Sequence, residues 1–379
     1  MKKKFMKGKM IEPLKLVKNI SVKEFIDKVF ANSSYNARKL SRACEIFSRM
    51  VNSNATICLT LAGAMTPIGM SGPIIKMMEN GFLDFIISTG ANIYHDLHRA
   101  YNAPVVQGSS NVDDEELHKY GIARIYDVFI EDSETLTPTD KVIVETAEKM
   151  DPNRPVSTSE FHKILGENVL KTAPHPEKSF LAMAAKFKVP VYTSSPGDSS
   201  VAMNLAVPYV FDHKIIFDPV LDIIETTAIV WNSKKNGVII VGGGSPKNFY
   251  LQTQPTLWQM FMDNSKGGHD YFIQLTTDSP QWGGLSGATP QEATSWGKVK
   301  NAEVNSVVVY SCASITFPLL CQYALSAFRK RKRKELYNRL KELKEKFISY
   351  EIKNPKFIQS IRKYTSSETY KKIYKKYLG

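Results

Sequence analysis

The chain has 379 residues, of which 43% are hydrophobic and 23% are charged, so it can bury a large core as one large domain or two medium ones. No apolar run reaches the roughly 18 residues that cross a bilayer, and no signal-peptide core follows the lysine-rich start, which predicts a cytoplasmic protein without membrane attachment. The net charge of +13 is concentrated in residues 329–379, with 18 Lys and Arg against 5 Asp and Glu, so charge gives no support for nucleic-acid binding by residues 1–328.

Six short apolar runs have the length and β-branched content of strands. They lie at 55–61, 83–89, 189–195, 237–244, 270–277 and 305–311. Stretches of helical character, at 73–82 and 220–233, separate some of these runs. Apolar strands that alternate with helices predict a doubly wound α/β fold, in which helices cover both faces of a mostly parallel, Rossmann-like sheet. The Pro- and Ser-containing stretch near 134–158 is interpreted as a connection between two halves.

Polar turns follow five of the predicted strands and indicate where a ligand would bind. They lie at 60–69, 88–96, 193–200, 242–248 and 276–284. In a doubly wound sheet the ligand crevice lies beyond the carboxyl ends of the strands. Glycines there let the backbone approach a pyrophosphate, and free amides at a helix start bind its charge. The turns therefore suggest a nucleotide-sized site, although the usual GxGxxG spacing is absent.

The cysteines show no pattern of a disulfide framework or of a metal site. Cys44, Cys58, Cys312 and Cys321 lack CxxC spacing, and two of them lie in strand-like apolar runs. We therefore expect buried free thiols and no bound metal.

The basic end of the chain carries one apolar stripe. Leu336, Leu340, Leu343 and Phe347 recur at helical spacing and so share one face of a helix. This helix is expected to pack on its own protein or on a neighbouring subunit, and contact with a membrane surface or with RNA is the alternative. We divide the chain into a catalytic domain, 1–328, and a basic helical C-terminal extension, 329–379.

Lys298 follows a segment that contains Glu292 and Trp296. A lysine with an ordinary pKa of ~10.4 is only about 0.1% neutral near pH 7.4, so a nucleophilic lysine needs an apolar or cationic environment. Trp296 would supply an apolar wall and a cation–π surface, and Glu292 would anchor a second ammonium group. Together these residues suggest a polyamine pocket with an imine-forming lysine. The alternative is a solvated loop lysine beside a core tryptophan.

The segment SGATPQEATSWGK, residues 286–298, closely resembles the active-site segment of deoxyhypusine synthases, which combines Ser-Gly-Ala, a glutamate and Ser-Trp-Gly-Lys. Other segments resemble further site segments of that family, in the same order: STGANIYHDL at 88–97, SSPGDSS at 194–200, GVIIVGGGSPKN at 237–248 and VVVYSCASITFPLL at 307–320. The resemblance extends over roughly residues 11–328, and the Ser-Trp-Gly-Lys block is its most specific part.

The resemblance implies an NAD-dependent transferase that moves the 4-aminobutyl group of spermidine to an acceptor amine through a lysine imine. Lys298 would form the imine, and the implied substrate-binding residues are Glu292, Trp296, Asn248 and Ser286. The residues implied along NAD are Thr89, Gly90, Asp198, Gly243 and Thr277. Similar enzymes are tetramers with sites at dimer interfaces, so a homotetramer is implied as well.

The chain departs from the eukaryotic members of that family at positions around the amine site. Leu285 replaces an acidic residue and Asn248 replaces a histidine, which removes an amine anchor and a proton carrier. Tyr94 and His95 stand where those members have two glutamates. His95 is therefore a candidate catalytic base for the donor or acceptor amine, and a structural role is the alternative.

The acceptor amine stays open at this point. A lysine of the hypusine-bearing translation factor is the default that the resemblance implies. Putrescine, which would give homospermidine, is the close alternative. A third alternative, from a different functional class, is an inactive NAD-binding relative that serves as a structural partner through its basic tail.

Overall fold

A computed structural model describes residues 5–377 and places all six predicted strands in one parallel sheet. The sheet strands are β1 Thr56–Leu61, β2 Phe85–Ser88, β6 Val191–Thr193, β7 Asn236–Val241, β8 Tyr271–Thr276 and β9 Ser306–Tyr310. Their order across the sheet is β6-β2-β1-β7-β8-β9, and all neighbours run parallel. The predicted doubly wound α/β fold is confirmed.

Helices precede, separate and follow these strands. They are α1 Val22–Lys28, α2 Tyr35–Asn52, α3 Ser71–Glu79, α4 Gly90–Leu97, α5 Asp114–Lys119, α6 Thr137–Glu148, α7 Thr158–Thr172, α8 Phe180–Phe187, α9 Ser200–Asn204, α10 Ala206–Val210, α11 Pro219–Asn232, α12 Gly244–Pro255, α13 Pro290–Ser295, α14 Ala302–Asn305, α15 Ala313–Ala327, α16 Leu340–Glu351, α17 Pro355–Ile361 and α18 Ser367–Tyr377. Helices α3 and α11 confirm the two predicted helical stretches. None of the helices within residues 5–377 is long and apolar enough to cross a membrane.

Two hydrophobic cores lie on opposite faces of the sheet, because successive side chains of a strand point to opposite sides. In β1, Ile57 and Leu59 face a core built largely from α2, α3, α7, α8 and α15, whereas Cys58 faces a core that α11 and α12 cover. Every residue of β1 is buried, which is the pattern of a parallel strand covered on both sides. Strands β2, β6, β7 and β8 are buried throughout as well, whereas the edge strand β9 alternates between buried and partly buried residues.

The order of the strands creates one switch point in the sheet. From β1 the chain builds outward through β2 to β6, and it then returns to place β7 on the other side of β1. The loops that leave β1 and β7 meet there, since a Cβ added to Gly242 would lie 3.2 Å from Cβ of Ala62. Ligands of doubly wound folds bind in the crevice at such a point.

The interpretation of 134–158 as a connection is wrong for much of its length. Helix α6, Thr137–Glu148, occupies it, and Pro138 lies in the first turn, where a helix needs no N–H donor from that residue. A small antiparallel sheet before it was not predicted. Its strands are β3 Val105–Gln107, β4 Ile122–Ile125 and β5 Val128–Glu131, in the order β3-β5-β4. Each of these short, only partly buried strands contains a polar or charged residue, so none stands out as an apolar run.

Three of the four cysteines are buried free thiols, as predicted. Cys44, Cys58 and Cys321 lie in the two cores, and burial raises the pKa of each thiol. The prediction is wrong for Cys312, which is exposed because it is the N-cap residue of α15. Its Sγ lies 2.9 Å from Oγ of Ser314.

The apolar stripe near the end of the chain packs on the protein itself, as expected. Leu336 and Leu343 complete the core that covers one face of the sheet, and Phe347 joins a third cluster with Ala228 and Leu257. The stripe is not one continuous helix: Leu336 belongs to a 3₁₀ turn, Leu336–Asn338, and α16 begins at Leu340. The boundary between residues 328 and 329 stays a prediction.

Candidate functional site

Thr89 and the start of α4 form one wall of the crevice at the switch point. The Thr89 hydroxyl donates to the carbonyl oxygen of Gly63 at 2.6 Å and accepts from Nδ2 of Asn92 at 2.8 Å. Thr89 is the N-cap residue of α4, but its side chain does not cap the helix. The first N–H groups of α4 therefore have no side-chain cap, which is the arrangement that binds anions at a helix start.

Gly90 lets a second loop approach this helix. A Cβ at Gly90 would lie 1.9 Å from Oγ of Ser199, so only glycine allows the contact. Asp198, the preceding residue in that loop, is exposed, and its N–H donates to the carbonyl oxygen of Ser195 at 3.1 Å. The Ser195 hydroxyl in turn lies 2.8 Å from Oγ of Ser245 at the start of α12. Loops from β2, β6 and β7 thus meet at the crevice.

Gly243 brings the glycine loop, residues 242–244 after β7, against Ser286. A Cβ at Gly243 would lie 2.4 Å from Cα of Ser286, and the Ser286 hydroxyl accepts from the N–H of Gly244 at 3.0 Å. Thr277 is exposed directly after β8, at the same edge of the sheet. The structure therefore brings Thr89, Gly90, Gly243 and Thr277 to one edge, with Ser286 against the glycine loop.

Lys247, which was not predicted as a site residue, is buried beneath this edge. Its side chain is 1% exposed, and Nζ donates to Oε1 of Gln274 at 3.0 Å and to the carbonyl oxygens of Ser286 at 3.0 Å and Ala288 at 2.6 Å. Burial lowers the pKa of Lys247 to about 8. The lysine thus ties α12 to the loop that leads to Lys298. A lysine directly after a Gly-rich turn was the available sequence signal.

Replacing Lys247 with methionine is expected to destabilise the protein by about 1–3 kcal/mol, because one buried and two partly buried acceptors lose their shared donor. Urea unfolding measures this change. Lys234→Met is the control, since Lys234 is exposed. Equal unfolding midpoints for the two variants would show that Lys247 does not hold the loop.

The backbone of Lys298 is held by two hydrogen bonds, one through its N–H group and one through its carbonyl oxygen. Its N–H donates to the carbonyl oxygen of Ala293, and its carbonyl oxygen accepts from the N–H of His269, both at 2.9 Å. The side chain of Lys298 donates from Nζ to Oδ1 of Asn248 at 3.2 Å, and Nζ lies 5.6 Å from the ring centre of Trp296. The structure therefore brings Lys298, Asn248 and Trp296 together, and their roles stay predictions.

Burial lowers the pKa of Lys298, while the charge of Glu292 acts in the opposite direction. Glu292 lies in the first turn of α13 and is exposed. Trp296 is 59% exposed, so the alternative of a core tryptophan is wrong. Lys298 is thus only partly desolvated, with an aromatic face and a carboxylate nearby.

A cavity of about 440 Å³ lies beside Asn248, between α11 and α12. Ser194, Thr227 and Leu285 also line it. Among the described residues, the buried hydroxyls of Ser194 and Thr227 have no hydrogen-bond partner. Cavities of about 300–1,000 Å³ with a few convergent polar groups are typical of small-molecule sites.

His95 and Lys298 take part in different sets of hydrogen-bond contacts. Nδ1 of His95 lies 2.9 Å from Nε2 of His98, and this is its hydrogen-bond contact within the described part of the chain. Burial lowers the pKa of His95 to about 4. Asp96, the next residue, is fully buried and accepts from the hydroxyls of Ser71 and Ser179, so it is a structural residue.

Comparisons with known proteins agree on one family. The family model for deoxyhypusine synthase matches residues 25–324. A deoxyhypusine synthase-like protein of Thermosynechococcus vestitus is 41% identical over 349 residues, which cover 89% of this chain and 86% of that protein. A probable deoxyhypusine synthase of Methanosarcina acetivorans is 37% identical over 305 residues, which cover 80% of this chain and 86% of that protein.

The fold is shared with a solved structure as well. A crystal structure of a candidate deoxyhypusine synthase of Entamoeba histolytica has a TM-score of 0.54 and 17% sequence identity. The match covers 83% of this chain and 96% of that chain. At this identity the likeness concerns the fold alone.

Proposed function

Because the chain belongs to the deoxyhypusine synthase family, we propose that it transfers the 4-aminobutyl group of spermidine to an acceptor amine, with NAD as cofactor and Lys298 as the carrier. The observation that supports this proposal is the placement of Lys298. Burial lowers the pKa of its amine, Asn248 accepts from Nζ at 3.2 Å, and the Trp296 ring lies within cation–π distance.

The crevice at the switch point fits NAD. Gly90 and Gly243 let neighbouring loops pack closely at the crevice, because a Cβ at either position would collide with Ser199 or Ser286, and α4 begins without a side-chain cap. We propose that Thr89, Gly90 and Gly243 hold the pyrophosphate region, and that Asp198 and Thr277 contact a ribose or the nicotinamide end. The chemistry that NAD supplies when bound is removal of a hydride from the donor amine and its return to the product.

Lys298 would act as a neutral amine. Nζ forms a bond to the oxidised carbon of the donor, the bond from that carbon to the 1,3-diaminopropane nitrogen breaks, and the two hydrogens of Nζ pass to the departing nitrogen. The 4-aminobutyl group then remains on Lys298 as an imine. An acceptor amine forms a bond to the same carbon and releases Lys298 by the reverse exchange. Because the hydride removed from the donor would be returned to the product, the cycle would have no net redox change.

Glu292 and Trp296 are proposed to bind the cationic polyamine, and their removal is expected to weaken spermidine binding rather than NAD binding. A charge-assisted contact contributes roughly 1.5–3 kcal/mol, which corresponds to about 10- to 150-fold in affinity. Since both side chains are exposed, we expect effects near the lower limit for Glu292→Gln and Trp296→Ala. Calorimetry with each ligand measures this; unchanged spermidine affinity in both variants would exclude the pocket.

The cavity beside Asn248 gives specific support to a free diamine as the acceptor. Its volume of about 440 Å³ suits a small molecule, and Leu285 forms part of its lining. Transfer to putrescine, which yields homospermidine, is therefore the second candidate function beside transfer to a lysine of the hypusine-bearing translation factor. Ser286 contacts the glycine loop, so we propose that it lies between the part of the crevice that binds the cofactor and the part that binds the substrate.

The proposed function is tested with purified protein, NAD and spermidine labelled in its butyl part. Putrescine or the translation factor is added, and the label is followed into homospermidine or into protein. We expect release of 1,3-diaminopropane in both assays, and the labelled product identifies the acceptor. If 1,3-diaminopropane is never released, the transfer proposal is wrong and the inactive-relative alternative replaces it.

A homo-oligomer, with a tetramer expected, is part of the proposal. Exposed apolar side chains follow the Asp198 loop: Met203, Val207, Val210 and Phe211. A cluster of this kind on a protein surface commonly marks an interface. Light scattering is expected to give a mass of several chains, and a fully active monomer would contradict the assignment.

A further inference from the structure

A buried chain of hydrogen bonds links His95 to the interior of the protein. Nδ1 of His95 lies 2.9 Å from Nε2 of His98, and Nδ1 of His98 lies 2.7 Å from the hydroxyl of Thr139. That hydroxyl lies 2.8 Å from the carbonyl oxygen of Thr135. His98 and Thr139 are fully buried, so water does not compete for these contacts.

This chain of contacts determines which nitrogen of His95 carries hydrogen. The carbonyl oxygen of Thr135 can only accept, so the single hydroxyl hydrogen of Thr139 lies between the two oxygens. Thr139 must then accept from Nδ1–H of His98, whose Nε2 consequently accepts from Nδ1–H of His95. The opposite arrangement would leave the two oxygens 2.8 Å apart without a hydrogen between them. Nε2 of His95 therefore carries the lone pair.

His95 lies on the partly exposed face of α4. Within this helix Ala91 and His95 are partly exposed, whereas the other side chains and Gly90 are buried. Ala91 and His95 are one helical turn apart, so they share a face. The helix begins at the crevice with Gly90, against the Asp198 loop. His95 is thus the polar side chain of α4 that is not fully buried.

We propose that Nε2 of His95 is a fixed, uncharged hydrogen-bond acceptor for an N–H group of the amine substrate, and that His98 and Thr139 are the positioning residues that set its tautomer. The inference rests on the proposed function and specifies how the amine is recognised. A neutral acceptor lets an ammonium group bind without a second charge at this point, where the eukaryotic members resembled by the sequence carry a carboxylate.

The electrostatic surroundings favour acceptance over proton uptake. Burial lowers the pKa of His95 to about 4 and that of His98 to about 3. Charged groups around this network are Arg99, which acts on His98, Asp96, which acts on Arg99, and Asp140, which accepts from the hydroxyl of Tyr94 at 2.7 Å. A base with so low a pKa removes a proton from an ammonium poorly near pH 7, whereas its lone pair remains available to accept a hydrogen bond.

Imidazole nitrogen NMR of the full-length protein, labelled in histidine, tests the tautomer directly. We expect His95 to carry hydrogen on Nδ1 near pH 7 and to remain neutral down to about pH 5, because its pKa lies near 4. Addition of spermidine without NAD, so that no turnover occurs, should shift the Nε2 resonance. Hydrogen on Nε2, or protonation of His95 near its ordinary pKa of about 6.5, would overturn the inference.

Variants at Thr139 test the positioning role. Thr139→Val keeps the shape but removes the hydroxyl, so spermidine affinity is expected to fall about 3- to 10-fold while NAD affinity stays unchanged. Thr139→Ser restores the hydroxyl and should restore both the affinity and the Nδ1–H tautomer. Equal spermidine affinity in all three proteins would overturn the positioning role.

These results are separable from the proposed function. Binding and tautomer are measured without turnover, and release of 1,3-diaminopropane is measured in its own assay. A confirmed tautomer and confirmed spermidine binding without any release would contradict the transfer proposal and leave the amine contact supported. Release with the wrong tautomer would contradict only the inference.

Discussion

Lys298→Ala is expected to abolish transfer of the aminobutyl group while NAD still binds. The variant removes the amine that is proposed to form the imine, but it leaves the crevice at the switch point unchanged. Borohydride reduction in the presence of NAD and labelled spermidine should fix a butylamine fragment on Lys298 of the wild type only. Mass spectrometry of peptides identifies the labelled residue.

Two further variants separate nucleophilicity from charge. Lys298→Arg should also fail, because a guanidinium stays protonated and cannot attack. Lys300→Arg is the matched control, since Lys300 pairs with Asp270 at 3.0 Å and arginine retains that charge. Label on a lysine other than Lys298 would exclude the proposed carrier.

Arg331→Met is expected to reduce the free energy of unfolding by about 3–5 kcal/mol, because it leaves a buried carboxylate without its main partner. The Arg331 guanidinium donates to Oδ2 of Asp84 at 2.8 Å, to the carbonyl oxygen of Ala55 at 2.7 Å and to that of Gly81 at 2.6 Å. Asp84 is 2% exposed and also accepts from the N–H of Ile57 at 2.8 Å. Urea unfolding measures the loss.

Lys332→Met is the control for this prediction, since Lys332 is the exposed neighbour of Arg331. Asp84→Asn combined with Arg331→Met should cost less than the sum of the two single changes, because they remove one shared interaction. Equal stability of Arg331→Met and Lys332→Met would contradict the prediction. A cut after Phe328 would remove Arg331 together with Leu336 and Leu343, so we expect it to destabilise the body as well.

The sequence was sufficient to predict the parallel sheet and the segment that carries Lys298. Six nearly continuous apolar runs predicted the buried parallel sheet, because a strand covered on both faces is largely apolar at successive positions. The Ser-Trp-Gly-Lys block placed Lys298, Trp296 and Glu292 in one segment, so their proximity follows largely from chain connectivity. Helix spacing likewise placed Leu343 and Phe347 on the face of α16 that packs inward.

Contacts between distant segments were decided by the tertiary structure alone. The partner of Lys298 is Asn248, 50 residues away, and the fold joins them because α12 and the loop after α13 lie side by side. The role of Lys247 became apparent only from the structure, which shows that its side chain is buried and has three hydrogen-bond acceptors. The tautomer of His95 depends on Thr139. A hydrogen bond needs two groups at contact distance, and the sequence does not show which distant residues are in contact.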